Sequence, residues 1–178
     1  MGVIQNNINA AMGALSGALV AGTHIANQNK EIANQKILAK EAERSNINSE
    51  LSKLDEKEKA LNSDIEDEMT KDPIVEHVTD LETGENSAEV ITDKEKYLNN
   101  KLDDSKSRYD QVKGMMNDEL TNGGMNAQYS DEYKSMSKDA IMYKRAIESY
   151  QNKLDMIRTI NAARADLNNR YSKLNGGK

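Results

Sequence analysis

Hydrophobic positions recur at helical spacing along nearly the whole of this chain, and what changes is the size of the side chains that fill them. Near the N-terminus Ile4, Ile8, Met12, Leu15 and Leu19 form a stripe at spacings of three and four, which predicts helix over residues 4–70. Beside it Ala10, Ala14, Ala18, Gly22 and Ala26 repeat every fourth residue, with Gly13, Gly17 and Ala21 in a second row. Residues four apart stack on one helix face, so this segment presents a strip with almost no side chain, onto which another helix can close. Gly13, Gly17 and Gly22 each cost about 1 kcal/mol relative to Ala in a helix, so packing or lipid has to stabilise the segment. The pattern then thins through Asn27, Gln28, Asn29, Asn34 and Gln35, with Ile32, Ile37 and Leu38 maintaining it. From Ile47 it sharpens into a coiled-coil-like seam of Leu51, Leu54, Leu61 and Ile65, with Glu58 in one apolar slot.

Pro73, the only proline, breaks the helix. Ile74, Val75 and Val78 precede a turn-like Glu82-Thr83-Gly84-Glu85-Asn86, and Ala88, Val90 and Ile91 follow it. A small β-hairpin with strands near 74–81 and 87–92 fits this pattern; an ordered loop is the alternative. Helix returns over 94–121, where Leu98, Leu102, Tyr109, Val112 and Met116 keep heptad spacing and Ser105 fills the missing slot. Asn122-Gly123-Gly124 ends it, and Ser130 is the expected N-cap of a last helix over 131–174. That helix carries Met136, Ala140, Tyr143, Ile147, Tyr150, Leu154 and Ile157, then slips in phase to Ile160, Ala163, Leu167 and Leu174.

The fold class expected is all-α: elongated helices with coiled-coil-like seams, a C-terminal antiparallel helical hairpin and a small β-hairpin insert. The expected segments are 1–29 (small-residue helix), 30–72 (polar coiled-coil-like helix), 73–93 (linker or hairpin) and 94–178 (helical hairpin). The seam residues are Leu51, Leu54, Leu61, Ile65, Leu98, Leu102, Val112, Ile147, Leu154 and Ile157. Only 4% of residues are aromatic, all of them Tyr, which is thin filling for a globular core of 178 residues. Stability is therefore expected from helix seams and from other copies of the chain, making a homo-oligomer.

Charge divides the chain further. Residues 1–29 carry none, 30–96 sum to about −9, 97–129 to about −1 and 130–178 to about +4. A net charge of −6 argues against a surface built wholly for nucleic acid. The absence of Cys removes disulfides and thiolate metal sites. The N-terminus has no basic region ahead of its apolar run, the first Lys being Lys30, so it does not read as a secretory signal. Gly2 is followed by Asn6 rather than Ser or Thr, which is unlike a myristoylation site. The run from Ala10 to Ala26 is about 25 Å long as a helix, against a hydrocarbon core of about 30 Å, and several chains packed together span better than one.

Chemistry is sparse. His24 and His77 are far apart in sequence and lack a ligand partner at metal-binding spacing. Asp64, Asp67 and Glu68 have the spacing of surface ion pairs on a helix. Gly123-Gly124 lacks the Lys-Ser/Thr of a phosphate loop. Arg158, Arg164, Arg170, Lys173 and Lys178 form the one set able to face a polyanion, without aromatic platforms between them. No catalytic residue, cofactor or metal ligand is expected.

An uncharged Gly/Ala helix, AAMGALSGALVAGTHIA over Ala10–Ala26, continues into NQNKEIANQKILAKEAE over Asn27–Glu43 and then into seam-forming helices. This layout resembles the internal virion proteins of tailed bacteriophages, the ejection or inner-core proteins, and is similar to the DNA pilot proteins of small icosahedral phages. The resemblance covers about a quarter of the chain and is architectural. It implies a virion component near the portal or tail that leaves with the DNA and assembles across the host envelope. Its partners would be other copies, portal, tail or other virion proteins, the envelope membrane, and packaged DNA through the basic C-terminal helix. Ala10, Gly13, Ala14, Gly17, Ala18 and Gly22 would then form its close-packing or membrane face. Two alternatives stand beside it. LDMIRTINAARADLNNRY, Leu154–Tyr171, is similar to the C-terminal helix of type III secretion filament and translocator proteins. A structural adaptor, collar or minor capsid protein would use the same small-residue strip without a membrane step.

Overall fold

The chain is an all-α protein with one small two-stranded insert. The computed structural model describes the backbone of residues 2–79 and 86–176, and side chains over 24–78 and 86–176 apart from Met125. The side chains of the small-residue face, Ala10, Gly13, Ala14, Gly17, Ala18 and Gly22, and the residues of the expected turn at 82–85 lie outside those described.

Helix α1 runs from Gly2 to Lys71. Nothing within it breaks the backbone ladder, and the Asp72 amide still donates to the Glu68 carbonyl at 2.9 Å before Pro73 stops it. Strands β1 (Val75–Thr79) and β2 (Asn86–Val90) follow as an antiparallel pair, with Val75 opposite Val90 and His77 opposite Ala88. Helix α2 (Lys94–Gly123) starts on Asp93, whose carboxylate accepts from the Lys96 amide at 2.7 Å. It ends where Gly124 takes φ 65°, a left-handed backbone that costs glycine nothing. A 3₁₀ segment (Gly124–Tyr129), which the sequence pattern does not announce, carries the chain to Ser130. The Ser130 hydroxyl caps helix α3 (Asp131–Leu174) by accepting from the Tyr133 amide at 3.0 Å.

The chain divides into two units, Met1–Leu51 with Leu167–Lys178, and Ser52–Asp166. In the second, Leu61 and Ile65 of α1, Tyr97, Leu98 and Leu102 of α2, and Leu154 and Ile160 of α3 bury one shared core. Ile91 joins that core from the base of the hairpin, with Ile74 packed beside it, and the Ile91 amide donates to the Ile74 carbonyl at 2.9 Å. A two-stranded hairpin is marginal alone, and this anchoring holds it. Tyr97, 1% exposed, donates its hydroxyl to the Asp72 carbonyl at 3.1 Å and so ties the start of α2 to the end of α1.

Helices α2 and α3 form the C-terminal antiparallel hairpin. Arg108 hydrogen-bonds Tyr143, while Met115, Asp118, Glu119 and Asn122 share a pocket with Glu132, Ser135 and Met136. In the first unit Ile47 of α1 and Leu167 of α3 are buried, flanked by Arg170 with Glu43 at 3.6 Å and Arg44 with Asn175 at 2.5 Å.

Leu98 is fully buried where three helices meet, so Leu98→Ala leaves a cavity that the surrounding side chains close only in part. The expected loss is about 3 kcal/mol of unfolding free energy, read as a lower urea midpoint at unchanged slope. Met115→Ala, at an exposed position on the same helix, is expected to move the midpoint far less.

Candidate functional site

The α1–α3 seam of the second unit is lined by charge that the two helices exchange. Asp55 and Glu58, three apart, and Asp64 and Glu68, four apart, present paired carboxylates on one side of α1. Arg164 reaches Asp55 at 2.6 Å and Glu58 at 2.5 Å. Lys153, its side chain only 12% exposed, reaches Asp64 at 2.7 Å and also Glu68. Glu58 occupies the apolar slot of the seam, and the Arg164 guanidinium answers it there. Around the hairpin Lys94 pairs with Glu66 at 2.7 Å, Lys101 with Asp72, and Lys96 with Glu76.

These contacts set the titration of the groups involved. The Glu58 carboxyl lies below the ordinary carboxylate range because Arg164 hydrogen-bonds its charged form, and Lys96 does the same for Glu76. Burial pulls the Lys153 ammonium down, but the hydrogen bonds it donates to Asp64 and Glu68 outweigh it and leave the group raised. Arg164 is held above its usual range by Glu58 and Asp55. Burial pushes the Tyr97 phenol up to about 12, aided by Tyr150 and Asp72, and raises Tyr150 as well, so both stay protonated donors. The Glu68 carboxylate is half-buried, with Oε1 taking the Lys153 ammonium and Oε2 turned into the protein.

The expected seam residues differ in burial. Leu61, Ile65, Leu98, Leu102, Val112 and Leu154 are buried, and Leu51, Leu54, Ile147 and Ile157 are half-buried. Ser105, in its heptad slot, is buried too. Tyr97 is a central core residue that heptad counting passes over, because it precedes the stripe position Leu98 by one. The available signal is the pair Tyr97 and Leu98 in the first turn after the Asp93 cap, two adjacent large side chains where heptad counting takes one.

Other arrangements carry less chemistry. His24 is exposed on α1 beside Gln28, and His77 is exposed on β1. Among the described residues no three His, Cys, Asp or Glu side chains are grouped to hold a metal ion. A groove of about 490 Å³ opens among Leu54, Lys57, Asn152, Met156 and Thr159, and a hollow of about 650 Å³ among Glu58, Asp93, Lys94 and Glu95. In the second, Glu58 is engaged by Arg164 and Asp93 by its capping bond. Of the basic α3 set, Arg164 and Arg170 meet α1 carboxylates and Arg158 meets Asp155 of its own helix.

The least satisfied surface is on α1. Every residue from His24 to Ala42 is exposed, although Ile25, Ile32, Ile37 and Leu38 stand among them at 50–64% exposure. Among the described residues no helix is long and apolar enough to cross a membrane. Compared with known family models, curated proteins and solved structures, the chain matches none.

Because Glu58 and Glu76 have lowered folded values, their contribution is present above the ordinary carboxylate value of 4.5 and is lost as pH falls through the folded values. Glu58→Gln lacks one of the two charged partners of Arg164 at every pH and keeps Asp55. The urea midpoint of the native chain is therefore expected to exceed that of Glu58→Gln near neutral pH, and the difference is expected to shrink as pH falls through the folded value of Glu58.

Proposed function

We propose that this chain is a non-enzymatic bacteriophage virion protein of the ejected internal or cargo kind. In this reading it self-associates near the portal or tail and helps form a conduit across the host envelope through which DNA is delivered. The observation that carries the proposal is a contrast within α1. Between Ser52 and Lys71 its charges meet α2 and α3 in ion pairs and its aliphatic residues enter a core. Between His24 and Ala42 the same helix exposes four large aliphatic side chains, and in the sequence this stretch continues an uncharged Gly/Ala segment. A helix with an unanswered apolar face is built to be covered later, by other copies, by a virion partner or by lipid.

In this proposal the portal, tail or other virion proteins hold the chain before delivery. The small-residue face closes on other copies when the envelope is crossed, and the basic positions of α3 that carry no α1 carboxylate are the ones left for packaged DNA. The chain would lie in the virion first and in the host envelope after delivery. A second reading, that of a structural adaptor or collar, draws on the same exposed aliphatic side chains, Ile25, Ile32, Ile37 and Leu38. An adaptor would use the exposed face of α1 against a portal or tail protein and never meet lipid.

Dye release from anionic liposomes separates the two. The full chain is expected to release dye, and a chain beginning at Lys30, which retains every core residue of the second unit, is expected to lose that activity. Absence of release from both, with the helical signal intact, would favour the adaptor.

A further inference from the structure

The exposed stretch of α1 has a heptad frame of its own, distinct from the seam that packs on α3. With Ile25 and Ile32 at a positions, Gln28 and Gln35 fall at d, and Ala39 and Ala42 complete the next a and d. Glu31 then occupies a g position and Lys36 the following e. All these residues are exposed, Ile25 by 57% and Ile32 by 50%. Leu38, 64% exposed, falls at the next g, beside the narrow Ala39 layer. Ile37 lies on the outer face and is the exposed aliphatic of this stretch that the frame does not cover.

We propose that residues 25–42 of α1 form a parallel, in-register coiled coil with the same segment of a second copy of this chain. This deepens the self-association half of the proposed function and does not depend on the envelope step.

Charge complementarity selects both the occupant and the orientation. In a parallel pair each g residue faces the next e residue of the other helix, so Glu31 of each copy meets Lys36 of the other, twice per dimer. The a layers become Ile25 against Ile25, Ile32 against Ile32 and Ala39 against Ala39, and Gln28 and Gln35 meet their own counterparts. Both glutamine layers find partner amides only when the copies are in register, since a slip of one heptad leaves a Gln of each copy against Ala, so the two polar layers fix alignment at some cost in strength. An antiparallel pair sets a against d and g against g. It would place Ile against Gln and separate Glu31 from Lys36, losing each of these matches.

In the single chain Gln28 contacts His24 at 3.4 Å, an exposed contact that pairing exchanges for the second Gln28. The frame also ends where an intramolecular contact begins, since Glu43 and Arg44 turn to Arg170 and Asn175 of α3. Carried backward along the sequence, it runs through Ala21, Ala18, Ala14 and Ala11, keeping small residues in the a and d positions.

The chain has no cysteine, so single substitutions report pairing directly. In the full chain, Gln28→Cys and Gln35→Cys are each expected to give a disulfide-linked homodimer under mild oxidation, because an in-register parallel pair brings both positions against themselves. Lys36→Glu is expected to raise the dimerisation midpoint about fivefold by sedimentation, through loss of two exposed ion pairs and gain of repulsion. Adding Glu31→Lys is expected to restore it. An unchanged urea midpoint of the second unit shows that folding is intact in each variant. A cross-link at one position alone, at neither, or only with anionic vesicles present would overturn the proposal, as would indifference to Lys36→Glu. A dimer that passes these tests but releases no liposome dye would support the seam and count against the envelope step alone.

Discussion

The second unit depends on the burial of Tyr97 and Leu98 between α1 and α3. Leu98 brings the start of α2 into the shared core, while the Tyr97 hydroxyl holds the carbonyl at the end of α1. Once those two points are joined, the intervening segment has its ends fixed, and Ile74 and Ile91 close the base of the hairpin on the same core. The hairpin survives with an exposed outer face because its base carries the apolar burial. Asp93 contributes by capping the start of α2 through the Lys96 amide.

Ion pairs do a second task around this core. Individually such surface pairs are worth at most about 1 kcal/mol, so they do not hold the helices together. Arg164 bridges Asp55 and Glu58, and Lys153 bridges Asp64 and Glu68, and each pairing is correct for one alignment of α1 on α3. They act as a register key laid over an apolar seam. Upstream, from His24 to Ala42, α1 finds neither core nor key among the described residues. Such a helix has propensity alone to sustain it, and that suits a surface completed by assembly.

Much of this architecture was legible in the sequence because its elements are long and strongly periodic. The single proline placed the end of α1, the glycine pair placed the end of α2, and Ser130 placed the start of α3. Three features were less visible. Tyr97 sits one residue off the heptad stripe, and its burial follows from the end of α1, whose Asp72 carbonyl takes its hydroxyl, rather than from spacing. Glu58 looked like a flaw in an apolar seam until Arg164, 106 residues away, was seen to answer it. The 3₁₀ segment from Gly124 to Tyr129 carries ordinary loop composition, and its order comes from Ala127 being buried. The surface proposed for function was conspicuous in sequence as an uncharged small-residue strip. Its continuation through Ile25 and Ile32 became evident only when those residues proved exposed.

Amide hydrogen exchange along the full chain, measured dilute and again after assembly at high concentration, tests the division between a completed core and an uncompleted helix most directly. The expected result is rapid exchange over residues 24–42 in the dilute chain, marked slowing there on assembly, and unchanged protection around Leu61, Leu98 and Leu154. Residues 24–42 already protected when dilute, or unprotected after assembly, would contradict it.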